Sequence, residues 1–319
     1  MKTLVTAAIS ALAIALPGLG AAQDIPSRVT IASGAVSGGW YPMAGILGEL
    51  ISEMWPNTDV TVTTGGGVEN LPRVAAGLAD IGFTQADIYA SAIAGTPPFE
   101  QPVPGTIALG YLGAVPQAFF LVRENSEYVG IEEIIAGNQA IRLVVPPLNN
   151  GGELIIRRML AEMGVTYEDI ERWGGSVAFM GYAEASGLVA DGHVDAYVGP
   201  VIGAIIELIT SNDMRVLSWP TPVIEAVLPM GYEVATIPAG RYNFSDDELT
   251  VPALQNTLVV SADAGPEFVS GLAEILATHA QEIQQSAAMF QSFRAERLSA
   301  VSGGPLHPAA AAYYESHSE

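Results

Sequence analysis

Ser33, Gly34, Ser37 and Gly39 stand in the stretch RVTIASGAVSGGWYPMAGILGEL, residues 28–50, followed at once by Trp40 and Tyr41. The chemistry this stretch could do is anion binding. It reads as a short buried strand (residues 29–32), a Gly/Ser loop, and an apolar helix from about Pro42 onward. A strand that passes through glycines into a helix start aims several unpaired backbone N–H groups, and the positive end of the helix dipole, at one point. A carboxylate or phosphate is the usual guest of such a corner. The plain alternative is a βα turn in which the glycines only permit tight geometry.

The pattern occurs twice. RLVVPPLNNGGELIIRRMLAEMG, beginning at Arg142, repeats the strand, a loop carrying Asn149, Asn150, Gly151 and Gly152, and an amphipathic helix. Each copy is followed by a second shared signature, Asp80-Ile81-Gly82-Phe83 in one and Asp195-Ala196-Tyr197-Val198 in the other. Gly38 stands 42 positions before Asp80, and Gly151 stands 44 before Asp195. Two α/β lobes of similar plan, each opening on a helix start, predict a ligand cleft between them.

The elements that must position these residues follow in order. Residues 60–64 alternate as a strand and run into Gly65-Gly66-Gly67. There Asn70 and Arg73 could supply donors, or Asn70 could simply cap a helix. Residues 81–84 form a strand whose end carries Gln85 and Asp87 into a helix (88–94), the place where open α/β sheets keep ligands; Asp87 could equally serve its helix's first turn. A Pro-rich loop (95–105) precedes apolar strand material, and the first crossover between lobes falls near 112–117. Arg123 could face the cleft or cap a helix. In the second half, residues 178–190 read as one helix, Gly199-Pro200 ends a strand, 201–209 is a very apolar helix, 254–260 is strand-like, and 266–293 is helical.

Composition narrows the function. The 319 residues suffice for two domains. With no cysteine, disulfides, thiolate metal sites and thiol nucleophiles are excluded. The only lysine is Lys2, so P-loop and Schiff-base chemistry are excluded once a leader is removed. A net charge of −22 argues against nucleic acid and against an anionic membrane surface. Residues 1–22 carry a positive start, an apolar run too short to span a membrane, and Gly20-Ala21-Ala22 before Gln23, so they read as a secretory signal peptide and place the product in the periplasm without stable membrane insertion. No catalytic motif stands out, and the four histidines are scattered without metal-ligand spacing. The expectation is a binding protein with no catalytic residues, cofactor or metal.

SGGWYPMAG, TTGGGVENLPRVAAGLADIGFTQAD, GYLGAVPQAFFLVREN, DGHVDAYVGP and GPLHPAAAAYYES together resemble the TAXI class of solute receptors of tripartite ATP-independent periplasmic (TRAP) transporters, in order from about residue 31 to 314. The resemblance implies a two-lobed α/β periplasmic binding fold, type II-like, that closes on a small organic acid; glutamate and 2-oxoglutarate are ligands of known members. The partner it implies is a TRAP membrane permease with fused small and large subunits. Its cleft groups map onto Ser33, Gly34, Trp40, Tyr41, Asn70, Gln85, Asp87, residues 149–152 and Gly199. The expected division is 23–114 for the first part of lobe I, 115–222 for lobe II, and 223–319 for the return to lobe I with the C-terminal helices. The alternatives are the same fold serving an ABC importer or a sensor, and a periplasmic hydrolase. Two departures stand out: after the second lobe's later strand, Gly199-Pro200-Val201-Ile202 differs from the usual small, polar run, and the loop usually close to G-x-G-S-G-T here reads Pro147-Leu148-Asn149-Asn150-Gly151-Gly152-Glu153. Glu153 in that first turn repels an anion unless it points outward; otherwise the site takes a cation or amine.

Overall fold

The computed structural model describes residues 25–36 and 38–317. The signal-peptide expectation and Ser37 therefore lie outside the described residues. Lobe I opens with β1 (Arg28–Ala32), α1 (Trp40–Met54), β2 (Asp59–Thr63), α2 (Gly67–Ala75), β3 (Ile81–Gln85), α3 (Ala86–Ala94) and β4 (Thr106–Pro116). The chain crosses to lobe II for β5 (Phe119–Arg123), α4 (Ile131–Ala136), β6 (Arg142–Val145), α5 (Gly151–Glu162), α6 (Tyr167–Arg172), β7 (Ser176–Phe179), α7 (Tyr182–Ala190), β8 (Ala196–Gly199), α8 (Ala204–Ser211), β9 (Met214–Leu217) and α9 (Thr221–Val227). It returns through β10 (Tyr232–Ile237) and β11 (Leu249–Ser261) to α10 (Pro266–Thr278), α11 (Ala280–Ser286) and α12 (Pro308–Ser316).

Lobe I is a sheet of order β10-β11-β3-β1-β2 with β4 also paired to β11, and lobe II a sheet of order β7-β6-β8-β5-β9. The βα units pair in parallel, and β11 runs antiparallel to β3, β4 and β10. Parallel strands covered by helices are buried on both faces, which is why β3 and β6 read as near-continuous apolar runs. Each lobe has its own core: Leu47, Ile51, Phe83 and Leu272 belong to one, and Val145, Ile155, Met159 and Trp219 to the other. Leu154 of α5 breaks the division by packing with Leu71, Ile88 and Tyr89 of lobe I, so the lobes meet at the start of α5.

The repeated aspartate signature does the same job in both lobes. Asp80 accepts the Thr30 N–H at 2.7 Å and donates its own to the Thr30 carbonyl. Asp195 accepts the Arg142 N–H at 2.8 Å, donates its own N–H to the Arg142 carbonyl, and pairs with the Arg142 guanidinium at 2.6 Å. Each aspartate clamps the first strand of its unit to the strand it precedes. Partial burial works against the Asp195 charge, but the Arg142 hydrogen bonds and charge outweigh it and hold the carboxyl below its ordinary range. A depressed carboxyl stabilises the fold above its unfolded pKa and ceases to do so as pH falls through the folded one. Asp195→Ala should cost about 1.5–3 kcal/mol at pH 7 in denaturant unfolding, and this difference should shrink in acid; a loss independent of pH would count against the charge-assisted clamp.

Three expectations are corrected. Residues 178–190 are not one helix: Ser176–Phe179 pairs with β6 as an edge strand, and α7 starts after Gly181. The run 266–293 is broken at His279 and again at Ala287. Asn70 caps nothing, because α2 already begins at Gly67 with Gly66 as its N-cap. Arg123, left open between two roles, donates to the Val189 and Ala190 carbonyls and closes the C-terminal end of α7.

Candidate functional site

β1, β2 and β3 run in one direction and each feeds a helix, so the starts of α1, α2 and α3 share one edge of the lobe I sheet. Their N-caps are Gly39, Gly66 and Gln85, and none makes a side-chain cap hydrogen bond. Their first-turn N–H groups therefore depend on backbone, water or a ligand.

The start of α5, which faces this edge, is different. Asn150 Oδ1 accepts the Gly152 N–H at 2.9 Å. Glu153 is fully buried and turns back into its own loop, where Oε2 accepts the Asn149 N–H at 2.8 Å and Oε1 lies 3.0 Å from Arg157 Nε. Asn149, at φ 62°, sits in the left-handed region that asparagine tolerates, and its Oδ1 accepts from Arg157 at 3.1 Å. Glu153 thus does not point outward: Oε2 closes the loop and Arg157 offsets the charge, while Oε1 is buried with no hydrogen-bond partner among the described residues. The two helix starts are not equivalent. Lobe I offers bare ones and lobe II a self-capped one.

Three amides gather where the lobes meet. Gln85 and Gln117 flank α5: a Cβ on Gly151 would lie 3.2 Å from Gln85 Cδ, and one on Gly152 would lie 3.0 Å from Gln117 Oε1. Glycine at 151 therefore eases this close approach of α5 to β3: a Cβ there would also lie 2.7 Å from Leu254 Cδ2 and require that side chain to shift. Asn256, opposite Gln85 in the β3–β11 register, accepts the Trp40 indole N–H at 3.0 Å. Gln85 Oε1, Gln117 Oε1 and Asn256 Nδ2 are buried without a hydrogen-bond partner among the described residues. Buried polar atoms are nearly always paired, and a side-chain amide can turn either its oxygen or its NH2 to a guest. The arrangement can therefore donate to an acid from amides and helix starts together.

Of the other residues expected at the cleft, several are occupied. Ser33 is fully buried and donates to the Thr63 carbonyl at 2.8 Å. Trp40 is 7% exposed, tilted against Phe83 at 5.8 Å, and forms part of the lobe I core beside Gly34. Tyr41 is half-buried in the first turn of α1. Asn70 is fully buried, and Nδ2 reaches the carbonyls of Ala32, Ser33 and Phe83 at 3.0, 2.7 and 2.8 Å. Asp87 is fully buried and accepts from Arg158 of α5 at 2.6 Å and from the Tyr232 hydroxyl at 2.8 Å. Burial pushes its carboxyl up, and Arg158 offsets this in part. Asp87 thus ties lobe I to lobe II. Gly199 is buried at the end of β8, where a Cβ would lie 2.4 Å from the Tyr197 hydroxyl.

Sequence reasoning missed Gln117, Asn256, Arg158 and Tyr232. The signal for Asn256 was present: Gln255-Asn256-Thr257 is a polar interruption inside a strand buried almost throughout. Beside the junction lies a cavity of about 540 Å³ whose wall includes Met289, Phe119, Val201 and Arg241. A Cβ on Gly39 would lie 2.4 Å from Met289 Sδ, so this cavity abuts the start of α1. None of the residues expected from sequence lines it. Among the described residues no helix is long and apolar enough to cross a membrane, and no cluster of three or more His, Cys, Asp or Glu could hold a metal.

Solved structures share this architecture. A TctC solute-binding protein from Polaromonas matches with TM-score 0.56 at 15% identity, over 91% of this chain and 98% of that one. MatC from Rhodopseudomonas palustris, solved with malate, matches with TM-score 0.56 at 12% identity, over 92% and 99%. PhnD1 from Prochlorococcus marinus, solved with methylphosphonate, matches with TM-score 0.55 at 14% identity, over 84% and 92%. At these identities the likeness is one of fold, the two-lobed fold of periplasmic binding proteins. The NMT1-like family pattern matches residues 31–317, and the chain belongs to that family.

Proposed function

We propose that this protein is an extracytoplasmic solute receptor that binds a small organic acid at the lobe junction, does no chemistry on it, and delivers it to a membrane permease. Within that reading we assign it to the TAXI class of TRAP receptors, working in the periplasm with a fused permease, and dicarboxylates are among its candidate cargoes. The observation that carries the proposal is the pairing of lobe I helix starts that lack a side-chain cap with three buried amide atoms that lack a partner, Gln85 Oε1, Gln117 Oε1 and Asn256 Nδ2. The acidic residues in the first turns of α2, α3 and α5, Glu69, Asp87 and Glu153, each face an arginine (Arg73, Arg158 and Arg157), which offsets the charge that would oppose an anion. The surface charge of −22 is no obstacle, because exposed charges beyond about 8–10 Å are screened at physiological salt.

The test is a thermal-shift screen of residues 23–319 against carboxylic acids, amino acids and sulfonates. A ligand at a hundredfold excess over its Kd should add about 2.7 kcal/mol to stability and raise the melting temperature. The double variant Gln85→Ala/Gln117→Ala should abolish the shift while keeping its own unliganded midpoint near the parent's. Mass spectrometry of the same wells should return the compound unchanged. Turnover of the compound, or shifts produced only by amines, would overturn the proposal.

A further inference from the structure

We infer that the 540 Å³ cavity beside the lobe junction is a subsite for a singly charged organic acid with an apolar body, whose acid group is held by Arg241. This inference rests on the receptor reading above; Gln85, Gln117 and Asn256 do not line the cavity, so it is a site apart from the junction amides, with a cargo of its own. The cavity lies between α8, the β10–β11 connection and the turn at residues 288–292, and its volume is that of an ordinary small-molecule site. Its walls are mainly apolar: Phe119 and Val201 come from the crossover and lobe II, Ile206 and Ile209 from α8, and Ile237 and Met289 from the return segment.

The polar side chains in the wall are mostly committed. Thr210 donates to the Ile206 carbonyl, Asn243 to the Ile209 carbonyl, and Ser292 to the Ala114 carbonyl. Arg241 is the one charged residue in the lining. Its guanidinium lies over the Tyr242 ring at 5.7 Å and has no carboxylate partner among the described residues. In a chain with 34 acidic residues and 12 basic ones, Arg73, Arg142, Arg157, Arg158, Arg172 and Arg297 pair with acids, and Arg123, Arg215 and Arg294 donate to backbone carbonyls. An exposed arginine with neither kind of partner, in the lining of an apolar cavity, is matched by a carboxylate or sulfonate carrying a hydrocarbon body. A dicarboxylate would have to bury its second charge against isoleucines.

Calorimetric titration of residues 23–319 with butanoate, hexanoate, octanoate, hexanesulfonate, hexanol and succinate tests this. Affinity should rise roughly fourfold per methylene along the carboxylates, as burial of a CH2 implies. Hexanesulfonate should bind comparably to hexanoate, which would show that either head group serves, and hexanol and succinate at least tenfold more weakly. Arg241→Gln should lose at least tenfold for the acids and leave hexanol unchanged. Ile206→Asp, at a position 45% exposed and so tolerant of change, should abolish the tail-length-dependent acid binding by placing a carboxylate in the wall. Succinate binding well with no dependence on tail length or on Arg241 would overturn this inference and leave the receptor reading standing. If no acid binds at all, both fall.

Discussion

Asn70→Ala should lower unfolding free energy by about 3 kcal/mol or more, read from denaturant midpoints at constant m-value. The Asn70 amide serves three backbone carbonyls, from the end of β1, the loop after it, and the middle of β3. Removing it strands those oxygens in a fully buried place, where an unmade hydrogen bond costs about 1–3 kcal/mol. Ligand binding should fail as well, because Ser33 and the approach to α1 lose their anchor. Gln85→Ala supplies the contrast. Its Oε1 has no partner to lose, so stability should change by less than about 1 kcal/mol while acid binding weakens. A loss below about 1 kcal/mol for Asn70→Ala would show that the three carbonyls find other donors, and the structural role assigned here would fail.

Asp87→Ala should be comparably severe, at about 3–5 kcal/mol, because it leaves the Arg158 guanidinium largely buried and unpaired. The pair crosses between lobes, from α3 to α5, with the Tyr232 hydroxyl and Ser91 completing the network. Replacing both charges, as in Asp87→Leu/Arg158→Met, should recover most of the loss, since two apolar groups of similar volume avoid the desolvation of two ions. The same variants should separate in small-angle scattering: the single ones with a larger radius of gyration, the double near the parent's. A double variant as unstable as Asp87→Ala, with the lobes still closed, would show that the pair does not join them.

Much of the plan was legible because it rests on local pattern. The strand-to-helix corners at residues 32–40 and 145–151 are visible as apolar runs meeting glycines, and the helix starts fall within a residue or two of where the glycines predict. What could not be read is pairing at long range. Asp80 and Asp195 stand out in the sequence as a repeat, but their bonds to Thr30 and Arg142 span 50 and 53 residues. Asp87 could not be assigned without Arg158, 71 residues on, or Tyr232, 145 residues on. Glu153 shows the same limit at short range: its position was clear, yet the direction of its carboxylate depended on the left-handed turn at Asn149. Local pattern extends the helix back over residues 178 and 179 because the one pairing partner of edge strand β7, β6, lies more than thirty residues earlier.

β11 lies inside the lobe I sheet, touching β10, β3 and β4, yet it is the last strand of that sheet along the chain. Thr84 finds Thr257 only after every residue of lobe II has been made. A chain emerging from its N-terminus can therefore complete the sheet of lobe II, residues 119–217, while β1 to β4 still wait with an open flank. Such distant strand partners are slow to meet. The lobe that begins the molecule is the lobe that finishes it, and until residue 249 arrives its exposed strand edges are where association between chains would start.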